Sequence, residues 1–155
     1  MEFTNLDDII DFAITKEREA AAFYREVSGR ESLDDKKRIF LEFATEEEKH
    51  AALLDALKTG GEQVELADYT WKWIIDIKRS NYVQDVEYHP NMSYREILTL
   101  AAQREEQALA FYNDCLKGAK KDDAKQVFKM LCQEEAKHKL ALEGMLDDFM
   151  AGMGD

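Results

Sequence analysis

Two short segments carry residue types that can do chemistry together. Glu47-Glu48-Lys49-His50 and Glu135-Ala136-Lys137-His138 each place a glutamate three residues before a histidine. Positions i and i+3 share one face of a helix, so each carboxylate–imidazole pair can reach a single centre. The segments stand 88 residues apart, and the same offset aligns much more of the chain. Glu17 falls on Glu105, Ala20-x-Ala22-Phe23-Tyr24 on Ala108-x-Ala110-Phe111-Tyr112, Phe40 on Phe128, Glu46 on Glu134 and Leu54 on Leu142. No gap is needed between Glu17 and Leu54. A repeat this long is one structural unit used twice.

The chemistry follows from where these residues sit. Glu17, Glu47, His50, Glu105, Glu135 and His138 all fall among apolar residues at helical spacing. Four carboxylates and two imidazoles facing a core are unfavourable as bare groups, because burial and mutual repulsion both oppose the charged carboxylate. Two divalent cations would balance four negative charges. Oxygen-rich ligation with one imidazole for each metal suits iron or manganese, whereas thiolates would suit zinc or copper(I). Cys115 and Cys132 form no Cys-x-x-Cys pair and are expected to be reduced and packed as small hydrophobes. Glu46 and Glu134 also repeat, but their neighbours point inward, so both are expected to face partly outward.

Four helices must position these residues. Asn5 with Asp8 makes a variant capping box, and Ile9, Ile10, Ala13, Ile14, Glu17, Ala20, Ala21 and Tyr24 carry the first stripe to Gly29. Ser32 with Asp35 is expected to open the second helix. Its stripe of Ile39, Phe40, Phe43, Ala44, Glu47, His50, Ala51, Leu54 and Leu57 runs to Gly60-Gly61. Ser93 with Glu96 is a full capping box, with Met92 and Ile97 placed to staple it. That third helix runs to about Leu116. The fourth starts near Asp122 or Asp123 and reaches about Met150, with Val127, Met130, Leu131, Glu135, His138, Leu142 and Met145 inward. The unrepeated stretch 61–92 holds Trp71 and Trp73 and ends in the turn His89-Pro90-Asn91. It is long enough to run the length of a bundle, as parallel second and third helices require. The tryptophans are expected to pack over the bundle, and His89 to be a surface residue.

The totals restrict the classes of function. The 155 residues suit one domain, 1–155, with repeats 5–60 and 93–150 joined by a crossover 61–92. One proline and seven glycines leave little loop, which points to an all-α chain. A net charge of −12 disfavours nucleic acid and anionic membrane as partners. The acidic N-terminus and the lack of any run of about 18 apolar residues predict no leader, no membrane span and a cytoplasmic location.

The paired Glu-x-x-His motifs, each preceded by a glutamate 30 residues earlier, resemble those of the ferritin-like di-iron carboxylate superfamily. Within it the chain is similar to a rubrerythrin lacking the rubredoxin-like domain. The resemblance covers about 5–60 and 93–150 and implies a ferritin-like four-helix bundle with internal two-fold pseudo-symmetry. It implies that Glu17 and Glu105 are terminal ligands, that Glu47 and Glu135 bridge two metals, and that His50 and His138 bind one metal each. These six would be both the metal ligands and the catalytic set. Tyr24 and Tyr112, two turns beyond the terminal glutamates, could hydrogen-bond a ligand or simply pack in the core.

The implied cofactor is two iron ions, with manganese or zinc possible. The implied activity is reduction of hydrogen peroxide or oxygen with electrons from an external donor protein, in a homodimer. A ferroxidase or iron-storage protein is the alternative, and an idle structural bundle is a third. The chain departs from the family in two respects. Rubrerythrins carry an extra glutamate three residues after the third-helix ligand, and here that residue is Ala108. No Cys-x-x-Cys pairs follow the fourth helix, so no built-in electron-transfer iron centre is expected.

Overall fold

A computed structural model describes residues 6–59 and 87–153. Among them are four α-helices, α1 (Leu6–Ser28), α2 (Lys37–Thr59), α3 (Tyr94–Gly118) and α4 (Asp122–Met153), and a 3-10 helix, Glu31–Lys36, between the first two. The described residues contain no strand. The chain falls into two compact units. The first holds α1, the 3-10 turn, α2 and residues 121–127. The second holds α3 and α4 from Phe128 onward.

In the first unit, α1 and α2 form an antiparallel hairpin. Asp7 and Asp8 in the first turn of α1 and Arg25 in its last turn both complement the helix dipole. At one end of the hairpin, Lys58 Nζ sits 2.6 Å from Asp11 Oδ1. Toward the other end, Arg25 Nη1 sits 2.5 Å from Glu48 Oε1, and this hydrogen bond lowers the Glu48 pKa. Between these ties lies an apolar seam. Ile10, Ala13, Ile14, Ala21, Tyr24 and Val27 come from α1, and Phe40, Phe43, Ala44, Ala51 and Leu54 from α2, all buried. Each is a position on the three-and-four spacing of its helix.

The turn joining α1 to α2 differs from expectation. Gly29 ends α1 as predicted, but the chain runs through a 3-10 turn before α2 opens at Lys37. Arg30 precedes that turn and makes no side-chain capping bond. Leu33 is only 4% exposed and leaves helical geometry at φ −119°, ψ 23°. Burial of this one leucine kinks the chain, and a tighter helical form accommodates the kink.

In the second unit, α3 and α4 are antiparallel. Tyr94, at the start of α3, packs edge-on against Phe149 near the end of α4, with ring centroids 5.3 Å apart. Tyr112 stacks on Phe128 at the opposite end. The capping box forms as expected, with Ser93 Oγ accepting from the Glu96 N–H and Glu96 Oε1 accepting from the Ser93 N–H. Met92 and Ile97 are both buried beside it. On α4, Met145 is half-buried and Leu146 is the buried residue, because the stripe steps by four from Leu142. His89 is exposed in a turn closed by Met92 N–H to the His89 carbonyl, 3.1 Å. Trp71, Trp73, Asn5 and most of the expected crossover lie outside the described residues.

Candidate metal centre

The first repeat brings three of the predicted residues together. Glu17 comes from the middle of α1, and Glu47 and His50 from adjoining turns of α2. Their exposures are 3%, 1% and 4%. Each offers one ligand atom, and these atoms lie within 4.8 Å of one another. His50 Nδ1 stands 3.5 Å from Glu17 Oε2. The second repeat does the same. Glu105 comes from α3, and Glu135 and His138 from α4, with exposures of 2%, 1% and 2%. Their ligand atoms also lie within 4.8 Å of one another, and His138 Nδ1 stands 3.5 Å from Glu105 Oε1.

These separations test whether a cation fits. Nitrogen and carboxylate ligands bind a divalent metal at about 2.0–2.2 Å, so two donor atoms 3.5 Å apart can share one ion. In both repeats the histidine offers Nδ1, so the two half-sites present the same atoms in the same order. Each half-site supplies two carboxylates and one imidazole, which neutralises a dication and leaves ligand positions for a small molecule. Metal binding is the chemistry this buried cluster supports.

Aromatic side chains pack in a similar way in the two repeats. Tyr24 is 1% exposed and stacks on Phe40 with centroids 6.2 Å apart. Phe23 and Phe43 meet the same ring, each at 5.3 Å. Tyr112 is 2% exposed, stacks on Phe128 at 6.4 Å and touches Phe111 at 5.5 Å. Glu46 and Glu134 are half-buried, and Glu134 pairs with Lys137 on the helix surface. Ala108, at the position of the family's extra glutamate, is half-buried.

Sequence reasoning missed one group, and it belongs to the second repeat alone. Lys139 follows His138 and is 2% exposed. Its Nζ lies 3.7 Å from Glu143 Oε1 and 3.8 Å from Glu106 Oε1. The signal was present in the i, i+4 series Glu135, Lys139, Glu143, which puts all three on one line of α4. The cysteines are partly buried, and burial pushes both thiols up to about 12.

Comparison with known proteins agrees with this architecture. The rubrerythrin family model matches residues 8–146. The crystal structure of an uncharacterised conserved protein from Magnetospirillum magnetotacticum superposes with a TM-score of 0.65 at 21% identity, over 93% of this chain and 95% of that one. That likeness shows a shared fold. A search of curated proteins found no match. With four long helices of the ferritin-like class and a Glu/Glu/His set buried in each repeat, the chain belongs to the rubrerythrin family.

Proposed function

We propose that the protein is a non-haem di-iron oxidoreductase that reduces hydrogen peroxide, or oxygen, with electrons from an external donor protein. The observation that carries this reading is the duplicated, buried Glu/Glu/His half-site in a chain of the rubrerythrin family. Glu17 and His50 would hold one ion, Glu105 and His138 the other, and Glu47 and Glu135 would bridge the pair. Two bound irons supply Lewis acidity and two electrons.

The chain's own residues do the rest. Four carboxylates balance the charge of two dications, so the core carries no large net charge when loaded. Nδ1 of each histidine faces a carboxylate oxygen of its glutamate at 3.5 Å, so the two atoms would share an ion. Tyr24 and Tyr112, buried and held by stacked phenylalanines, would hydrogen-bond a ligand carboxylate in this reading. The balance of peroxide reduction is H2O2 plus two electrons and two protons giving two waters. In this reading the electrons come from an external donor protein. The acting form in this reading is a cytoplasmic homodimer.

A second reading, ferroxidase or iron storage, is favoured by Ala108. A methyl group cannot exchange as a ligand between redox states, which the resemblance makes part of efficient peroxide reduction. Anaerobic ferrous reconstitution separates the two. Two irons per chain, oxidised much faster by peroxide than by air, support the peroxidase. Faster reaction with oxygen, continuing past two irons, supports ferroxidase and storage. No iron uptake would overturn both.

A further inference from the structure

The two half-sites share their ligands but not their surroundings. Lys139 stands one residue after His138 and one turn beyond Glu135 on the same line of α4. Its counterpart 88 residues earlier is Ala51, a buried methyl group. The partners of Lys139 also lack counterparts. Glu106 corresponds to Arg18, and Glu143 to Asp55, and both of these are exposed. Among the described residues, the second repeat therefore encloses an ammonium group where the first encloses none. A lysine is almost never fully buried unless it is paired, and this one is paired with two carboxylates on α3 and α4.

Resting on the metal-binding reading, we propose that Lys139 is a fixed internal cation that weakens divalent metal binding at the Glu105/Glu135/His138 half-site and so makes the two half-sites unequal. The ammonium repels an incoming dication across a core where charges are poorly screened. Glu106 and Glu143 face the ammonium and offset part of its charge. Their side chains are 27% and 10% exposed against 3% for Lys139, so solvent screens them more. Removing the ammonium alone must make the second half-site more attractive to a cation. Removing a carboxylate partner must do the opposite. A lysine that only braced α3 against α4 would behave differently, because breaking the brace from either side would loosen the ligands.

The test is a Mn2+ titration of the full chain, following free aqueous Mn2+ by its electron paramagnetic resonance signal. Compared with the wild type, Glu17→Gln and Glu105→Gln should each remove one binding step and so assign the steps. Lys139→Met should tighten the step that Glu105→Gln removes by at least about tenfold and leave the other unchanged. Glu106→Gln, at a half-exposed position that tolerates change, should weaken that same step. Weakening by both variants, or no change with either, overturns the proposal while leaving the metal site intact. If Lys139→Met does not fold, Glu106→Gln decides, since no effect or a tightening there overturns it. Failure of the wild type to bind Mn2+ or Fe2+ at all overturns the metal reading and this proposal with it.

Discussion

Nδ1 of His50 stands 3.5 Å from Oε2 of Glu17, and the second repeat reproduces the relationship between His138 and Glu105 at the same distance. In each case the partners come from different helices of one hairpin, so the distance reports how the hairpin is packed. If each pair holds one ion, then His50→Ala and His138→Ala should each lower the iron content from two to one per chain. Glu47→Ala or Glu135→Ala should lower it further, because a bridging carboxylate serves both ions. Metal analysis after anaerobic reconstitution and desalting checks this. Retention of both ions in His50→Ala would remove His50 from the ligand set.

Metal removal should cost stability. In each half-site two carboxylates at 3% exposure or less repel each other unless a cation sits between them. An ion at a hundredfold excess over its Kd stabilises the folded state by about 2.7 kcal/mol. In a domain of this size each kcal/mol moves Tm by about 2–4 °C. Chelation should therefore lower Tm by roughly 5–10 °C for each ion lost. Calorimetry with and without chelator measures it, and equal Tm values would mean that the site is idle.

Phe40 and Phe128 are 0% and 1% exposed and lie against the stacked tyrosines. Truncation to alanine should cost about 3–5 kcal/mol, because the cavity left beside Tyr24 or Tyr112 cannot fully collapse. The repeat predicts equal costs at the two positions, within about 1 kcal/mol. Urea unfolding of the two variants checks this. Tyr24→Phe and Tyr112→Phe preserve the stacking and remove only the hydroxyl. A drop of about tenfold or more in metal affinity would show that the hydroxyl orients a ligand, and no change would leave these tyrosines as packing residues.

Much of this was legible in the sequence because helical period and side-chain type point the same way. Glutamate and histidine at core positions of an apolar stripe have few stable explanations, and an exact 88-residue offset narrows them further. The capping box at Ser93 was legible because it is local. The start of α2 was not, because burial of Leu33 is a tertiary effect that outweighs the Ser32–Asp35 cap. Lys139 was legible only in part. The i, i+4 series Glu135, Lys139, Glu143 puts it on the inward line of α4, but a lysine usually reads as solvent-exposed, and its pairing with Glu106 from α3 is a tertiary contact.

The cysteines provide a test at alkaline pH. Burial pushes the thiols of Cys115 and Cys132 up to about 12, with Asp114 adding to the first and Cys115 to the second. An unfolded thiol ionises near 8.5, so the folded chain holds these protons more tightly. This contribution to stability is complete below about pH 8.5 and is lost as pH rises toward about 12. Comparing the wild type with Cys115→Ala and Cys132→Ala isolates it from lysine and tyrosine titration. The variants should show a shallower fall in urea midpoint between pH 8 and pH 11. Both thiols should also react slowly with iodoacetamide at pH 8 in the folded protein and rapidly in denaturant, because the thiolate is the nucleophile. Rapid alkylation of the folded chain would show that these thiols ionise readily and sit in a different environment.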